Sequence, residues 1–147
     1  LSVLFQSSRP HIAILGQLPN SDYFRNIKRY PEAIQHEGVL IIRFDAPLFF
    51  LNAAYFKDKI QKRVNSYSGN LEVLILDTSS IINVDSSGLS ALRDLHRWDT
   101  AQNNTLHLSG SMGLVRDSLA RADLRSLIGP DHFFRHPIDA IEFAQKD

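Results

Sequence analysis

The sequence predicts an α/β fold: a small, mostly parallel β-sheet with helices packed mainly on one face. Three observations predict it. Residues 39–44 (VLIIRF) and 73–76 (VLIL) are short apolar runs rich in β-branched residues, as strands buried on both faces are. Each is followed by a longer segment whose apolar residues recur at helical spacing. Strands that alternate with helices after an initial strand pair imply a largely parallel sheet, because parallel neighbours need a crossover between them.

In chain order, Leu1, Val3, Leu4 and Phe5 form an apolar start too short to cross a bilayer, without a charged leader or initiating methionine. Residues 1–8 are therefore expected to be the end of a membrane segment or a linker, with Arg9 suiting a cytoplasmic boundary. Residues 12–18 (IAILGQL) form the first expected strand, interrupted by Gly16 and closed by Pro19, Asn20 and Ser21. Residues 22–38 place Arg25, Lys28 and Arg29 near Tyr23 and Tyr30, a mixture that can bind an anionic partner. Glu32 and Glu37 dilute that charge, so the segment reads as a solvated connector.

After the strand at 39–44, Pro47 punctuates an extended piece over residues 46–51. Asn52 is the expected cap of a helix with Phe56, Ile60 and Val64 on one face, and Lys57, Lys59, Gln61 and Lys62 on a solvated one. A later helix carries Leu89, Leu92 and Leu95, runs to the neighbourhood of Asn103 and includes Trp98 as a packing residue. Residues 105–109 (TLHLS) form another strand, with Gly110 and Ser111 as turn and cap for a helix bearing Met112, Val115, Leu119 and Ala122. Phe133 and Phe134 suggest a last short strand, and Pro137 opens a final helix with Ile138, Ile141 and Ala144.

The most informative stretch is residues 71–95, LEVLILDTSSIINVDSSGLSALRDL. A hydroxyl-rich turn, Asp77, Thr78, Ser79 and Ser80, follows its strand, and Asp85, Ser86, Ser87 and Gly88 precede its helix. The first N–H groups of a helix lack intrahelical partners and sit at the positive end of its dipole, so carboxylates, hydroxyls and phosphates are stabilised there. Asp85 or Ser86 can cap this helix, and Gly88 keeps its first turn clear of side-chain bulk. Ser87 is a candidate for phosphorylation, since added negative charge would meet the favourable end of the dipole. The same four residues also read as an ordinary capped helix start.

Composition excludes several classes. Sixteen basic residues balance sixteen acidic ones, so no global field draws the chain to nucleic acid. Without cysteine there is no disulfide, thiolate nucleophile or thiolate metal site. Asp77 at a strand end lacks the second acidic residue that phosphotransfer wants, because Ser79 stands there. Gly110-Ser111-Met112-Gly113 lacks nucleophile-elbow spacing. His132 and His136 have a metal-like spacing, but Pro137 puts them in a loop, and the six histidines read as surface groups. No catalytic or metal residue is therefore assigned.

The run Ile82-Asn83-Val84-Asp85-Ser86-Ser87-Gly88-Leu89, preceded by Leu74-Ile75-Leu76-Asp77, resembles the signature of STAS domains. That family includes bacterial anti-sigma-factor antagonists and the cytoplasmic C-terminal domains of SulP-type anion transporters. The run from Arg9 to Gly16, the connector at 19–38, and Arg43-Phe44-Asp45-Ala46-Pro47-Leu48 through Ala53 look like the beginning of a SulP transporter's STAS domain. The resemblance implies a STAS fold over residues 9–147, at the cytoplasmic face of the inner or plasma membrane. It further implies a non-catalytic role in assembly and regulation of a sulfate or other inorganic anion transporter. The implied partners are the transmembrane domain of the same polypeptide, a second copy of the domain, and a regulatory protein or kinase. The motif serine matches Ser87; Asp85, Ser86 and Gly88 would share its surface, and Asp45, Asp77, Thr78, Ser79 and Ser80 would form the neighbouring loop surface. No cofactor is expected: the resemblance leaves nucleotide binding open, yet no Walker lysine motif is present. The alternative is a free-standing anti-sigma factor antagonist switched by serine phosphorylation.

Overall fold

The structure, a computed structural model, describes residues 9–146; the expected membrane end or linker at residues 1–8 lies outside the described residues. The strands are β1 (Ile12–Gln17), β2 (Phe24–Asn26), β3 (Val39–Phe44), β4 (Val73–Asp77), β5 (Thr105–Ser109) and β6 (Phe133–Phe134). They form one sheet in the order β2-β1-β3-β4-β5-β6. β1 is antiparallel to both of its neighbours, whereas β3, β4, β5 and β6 are mutually parallel. The helices are α1 (Ala53–Asn65), α2 (Ser86–Ala101), α3 (Gly113–Arg121), α4 (Leu124–Ile128) and α5 (Pro137–Ala144), with a 3-10 turn at Pro130–His132.

The period-2 alternation of the strands sends side chains to two different layers. Leu40, Ile42, Phe44, Leu74, Leu76, Leu106 and Leu108 meet the apolar stripes of α1, α2, α3 and α4. At the centre of that layer the Phe44 and Phe56 rings stand edge to face, 4.9 Å between centroids. On the opposite face, Ala13, Leu15, Val39, Ile41, Val73 and Ile75 pack with Ala140 and Ile141 of α5. Burial on both sides is the reason β3 and β4 read as continuous apolar runs rather than alternating ones.

The connector differs from its sequence reading. Residues 24–26 form β2 against β1, and Ile34 pairs with Gln17 through two backbone hydrogen bonds of 2.8 and 2.7 Å. Gly16, which reads as an interruption, lies inside β1; a Cβ there would come within 3.0 Å of both Ala33 and Ile27. Its bare backbone lets the connector close onto the sheet. The short α4 was also absent from the sequence reading, and α2 ends at Ala101, with Asn103 in the left-handed conformation just beyond.

His107 corrects the surface reading of the histidines. It is 2% exposed, and its ring lies 4.7 Å from His132, 5.2 Å from Phe134 and 5.8 Å from Phe143. Its Nδ1 is buried without a hydrogen-bond partner among the described residues. Burial, followed by the charge of His132, pushes its pKa down to about 4 from 6.5. The folded state thus holds His107 neutral where the unfolded chain would protonate it, so stability is lost as pH falls from about 6.5 towards about 4. Urea midpoints measured across that window should fall with pH in the native chain, and His107→Phe should flatten the fall.

Candidate functional site

The site is built where the chain leaves β3 and β4. Beyond the sheet edge these two strands keep pairing: Leu48 and Val84 form a parallel bridge, with Leu48 N–H donating to the Asn83 carbonyl at 2.9 Å and Asp85 N–H to the Leu48 carbonyl at 3.1 Å. Leu48 is fully buried, so the segment after β3 is anchored by its side chain as well.

Asp85, not Ser86, is the N-cap of α2. Its Oδ1 accepts from Gly88 N–H at 2.8 Å, and its Oδ2 accepts from Phe50 N–H at 2.9 Å. One carboxylate therefore satisfies an orphan donor of the helix and pins the neighbouring loop. Gly88 is needed for the same contact. A Cβ there would lie 2.6 Å from the Leu48 carbonyl oxygen and 2.7 Å from a Val84 methyl. Ser86 is exposed and Ser87 half-buried, and the Ser87 hydroxyl makes no hydrogen bond among the described residues.

An apolar rim surrounds this helix start. Phe50 is 67% exposed and Ile82 56%, and a shallow cavity of about 340 Å³ lies between residues 46–49 and 83–85. An exposed apolar surface beside a polar helix terminus can serve as a contact area. The sequence reading missed this rim; the signal available was the apolar run Leu48-Phe49-Phe50-Leu51 on a segment too short to bury every ring.

The other predicted residues form separate clusters at the same edge. Asp77 and Thr78 are buried, in contrast to the loop surface expected of them. Asp77 Oδ1 accepts from Ser79 N–H at 2.9 Å. The Thr78 hydroxyl donates to the Ser109 carbonyl at 3.0 Å and lies 2.8 Å from the Ser111 hydroxyl. These two residues thus tie the β4 and β5 loops together. Ser111 is spent on that tie and does not cap α3, whose N-cap is Met112 with no side-chain hydrogen bond. Ser79 is exposed and Ser80 half-buried. Asp45 accepts from Arg43 Nε at 2.6 Å and lies 2.7 Å from His11 Nδ1. Burial by itself would raise the Asp45 pKa, but the hydrogen bonds and charges of Arg43 and His11 outweigh it and hold the carboxyl below its usual value. Among the described residues no group of three His, Asp or Glu side chains is placed to hold a metal ion.

Comparison with known proteins adds the following. The profile of the family described as STAS domain matches residues 30–140. The chloroplastic sulfate transporter 4.1 of Arabidopsis thaliana is 36% identical over 149 residues, covering 95% of this chain and 22% of that protein. The chain thus spans about a fifth of the length of the curated relatives it matches. The murine Slc26a9 anion transporter in its inward-facing state superposes with a TM-score of 0.91 at 26% identity, over 99% of this chain and 24% of that one. A putative anti-sigma factor antagonist from Thermotoga maritima superposes with a TM-score of 0.65, over 76% of this chain and 91% of that one; at 17% identity this is likeness of fold.

The geometry ranks substitutions at the helix start. Gly88→Ala should cost about 1–3 kcal/mol through overpacking against the Leu48 backbone. Asp85→Ala should cost about 1–2 kcal/mol through the lost cap, and Ser87→Ala should stay within about 0.5 kcal/mol. Urea unfolding of the three variants checks the order.

Proposed function

The chain belongs to the STAS domain family, and on that footing we propose that it is the cytoplasmic regulatory and assembly domain of a SulP-type transporter of sulfate or another inorganic anion. It would be carried on the same polypeptide as the membrane-spanning part. The observation that carries this reading is the extent of the likeness: it runs through the connector and β2 as well as the motif, over 95% of the chain with a plant sulfate transporter and 99% with an anion transporter of known structure. No described helix is long and apolar enough to cross a membrane. Translocation would fall to other segments, and this domain would act through its surface.

That surface is the α2 start. Its apolar rim supplies contact area, and the Asp85 cap fixes the rim's position relative to the helix. Ser87 is the candidate regulatory position: its hydroxyl is not committed to a hydrogen bond among the described residues, and a phosphate there would add charge beside Phe50 and Ile82 without opposing the dipole. A docked apolar partner would then meet a desolvated dianion and leave.

The test uses the complete reading frame in cells deprived of their own sulfate uptake. The frame should encode several apolar segments of about 20 residues. It should restore uptake of labelled sulfate or another inorganic anion, and most of that uptake should vanish when residues 9–147 are removed. A frame that encodes no apolar segments and a neighbouring kinase that phosphorylates Ser87 would instead identify an anti-sigma factor antagonist.

A further inference from the structure

A cavity of about 680 Å³ opens beyond the C-terminal ends of β5 and β6, at the start of α3. Four cationic or titratable donors line it: Arg116 from the first turns of α3, Arg125 from α4, Arg135 from the link between β6 and α5, and His136, the N-cap of α5. No carboxylate lines it. None of the three arginines forms an ion pair or a side-chain hydrogen bond among the described residues. Elsewhere Arg43 and Arg97 are paired with aspartates, and Arg93 donates to the Ala122 carbonyl. In a chain of zero formal net charge, three guanidinium groups around one concavity are a local excess of positive charge that an anion would offset.

The backbone adds to the same field. The first hydrogen bond of α3 runs from Arg116 N–H to the Met112 carbonyl, so the N–H groups of Gly113, Leu114 and Val115 precede it. Met112 supplies no side-chain cap, and a Cβ on Gly113 would meet nothing within 4 Å. The positive end of this nine-residue helix is therefore open towards the arginines, unlike that of α2, which Asp85 occupies.

We propose that this cavity is a binding site for a multivalent oxyanion, a group of the phosphate or sulfate kind. Guanidinium forks match the oxygen spacing of such groups in pairs, which a halide cannot exploit. Phe133, whose ring packs on the layer that holds α3 and α4, gives the cavity an apolar side, and the volume exceeds what one such group fills. The oxyanion can accordingly be free or be part of a larger phosphate-bearing molecule that lies against Phe133. The site includes none of residues 85–88, and the proposal stands whether or not the chain is joined to a transporter.

Isothermal titration of the 147-residue chain with sodium sulfate, inorganic pyrophosphate and adenosine diphosphate in low-ionic-strength chloride buffer tests it. Pyrophosphate should bind saturably at one site and more tightly than sulfate. The double substitution Arg116→Gln with Arg125→Gln should weaken binding about tenfold or more, as expected when charge-assisted hydrogen bonds are lost. Arg97→Gln, which removes an arginine outside the cavity, should leave affinity unchanged, and unfolding midpoints should show all variants folded. Tighter binding of adenosine diphosphate than of pyrophosphate would identify the phosphate of a larger molecule as the ligand; equal or weaker binding would identify the free oxyanion. Absence of saturable binding by all three, binding that survives the double substitution, or equal weakening by Arg97→Gln would overturn the proposal.

Discussion

The rest of the molecule depends on how the segment after β3 is seated on the start of α2. Two carboxylate hydrogen bonds from Asp85, the Leu48–Val84 bridge and the missing side chain at Gly88 act at one point. Asn52 continues the constraint: its Oδ1 accepts from Phe49 N–H at 3.0 Å and its Nδ2 donates to the Pro47 carbonyl at 2.8 Å, so it shapes the loop rather than simply capping α1. α1 begins at the next residue and packs beside α2, where Lys57 and Asp94 approach to 3.5 Å. That exposed pair adds little energy. The placement of both helices on β3 and β4 comes from the junction and from the apolar layer beneath it.

The same junction decides what faces outward. Leu48 is buried, and the chain then turns at residues 50–52, which leaves the Phe50 ring exposed while its N–H stays tied to Asp85. Phe50 and Ile82 thus leave an apolar rim beside the anchor, the surface on which the proposed docking role rests. Charge is distributed unevenly around the sheet edge. Arg43 is paired with Asp45, whereas Arg116, Arg125 and Arg135 have no acidic partner among the described residues. One edge of the sheet therefore carries an apolar surface at α2 and a cationic concavity at α3.

The sequence was legible where physics is local. β3 and β4 stand out because burial on both faces demands continuous apolar residues, and the α2 start stands out because capping demands Asp85 and the close approach demands Gly88. β2 was illegible: three residues carry no periodicity, and their stability comes from β1, which lies across a turn. Gly16 was visible, but its meaning depends on Ala33 and Ile27, which only the folded connector brings near. Ser111 looked like a cap until Thr78, 33 residues away, claimed its hydroxyl. The alternation of Leu106, His107 and Leu108 does put His107 on the face opposite the two leucines; its burial there follows from α5 and the 3-10 turn, the last elements in the chain. The cationic cavity could not be read at all, since its arginines come from three elements spaced by no repeating interval.

Asp85 holds the loop and the helix as one unit. Amide hydrogen exchange resolved at Phe50, Gly88 and the β4 strand tests it most directly, in the native chain and in Asp85→Ala. Phe50 and Gly88 should be protected together in the native chain and lose protection together in the variant, while the β4 amides keep theirs. Unchanged exchange at Phe50 in the variant would contradict it.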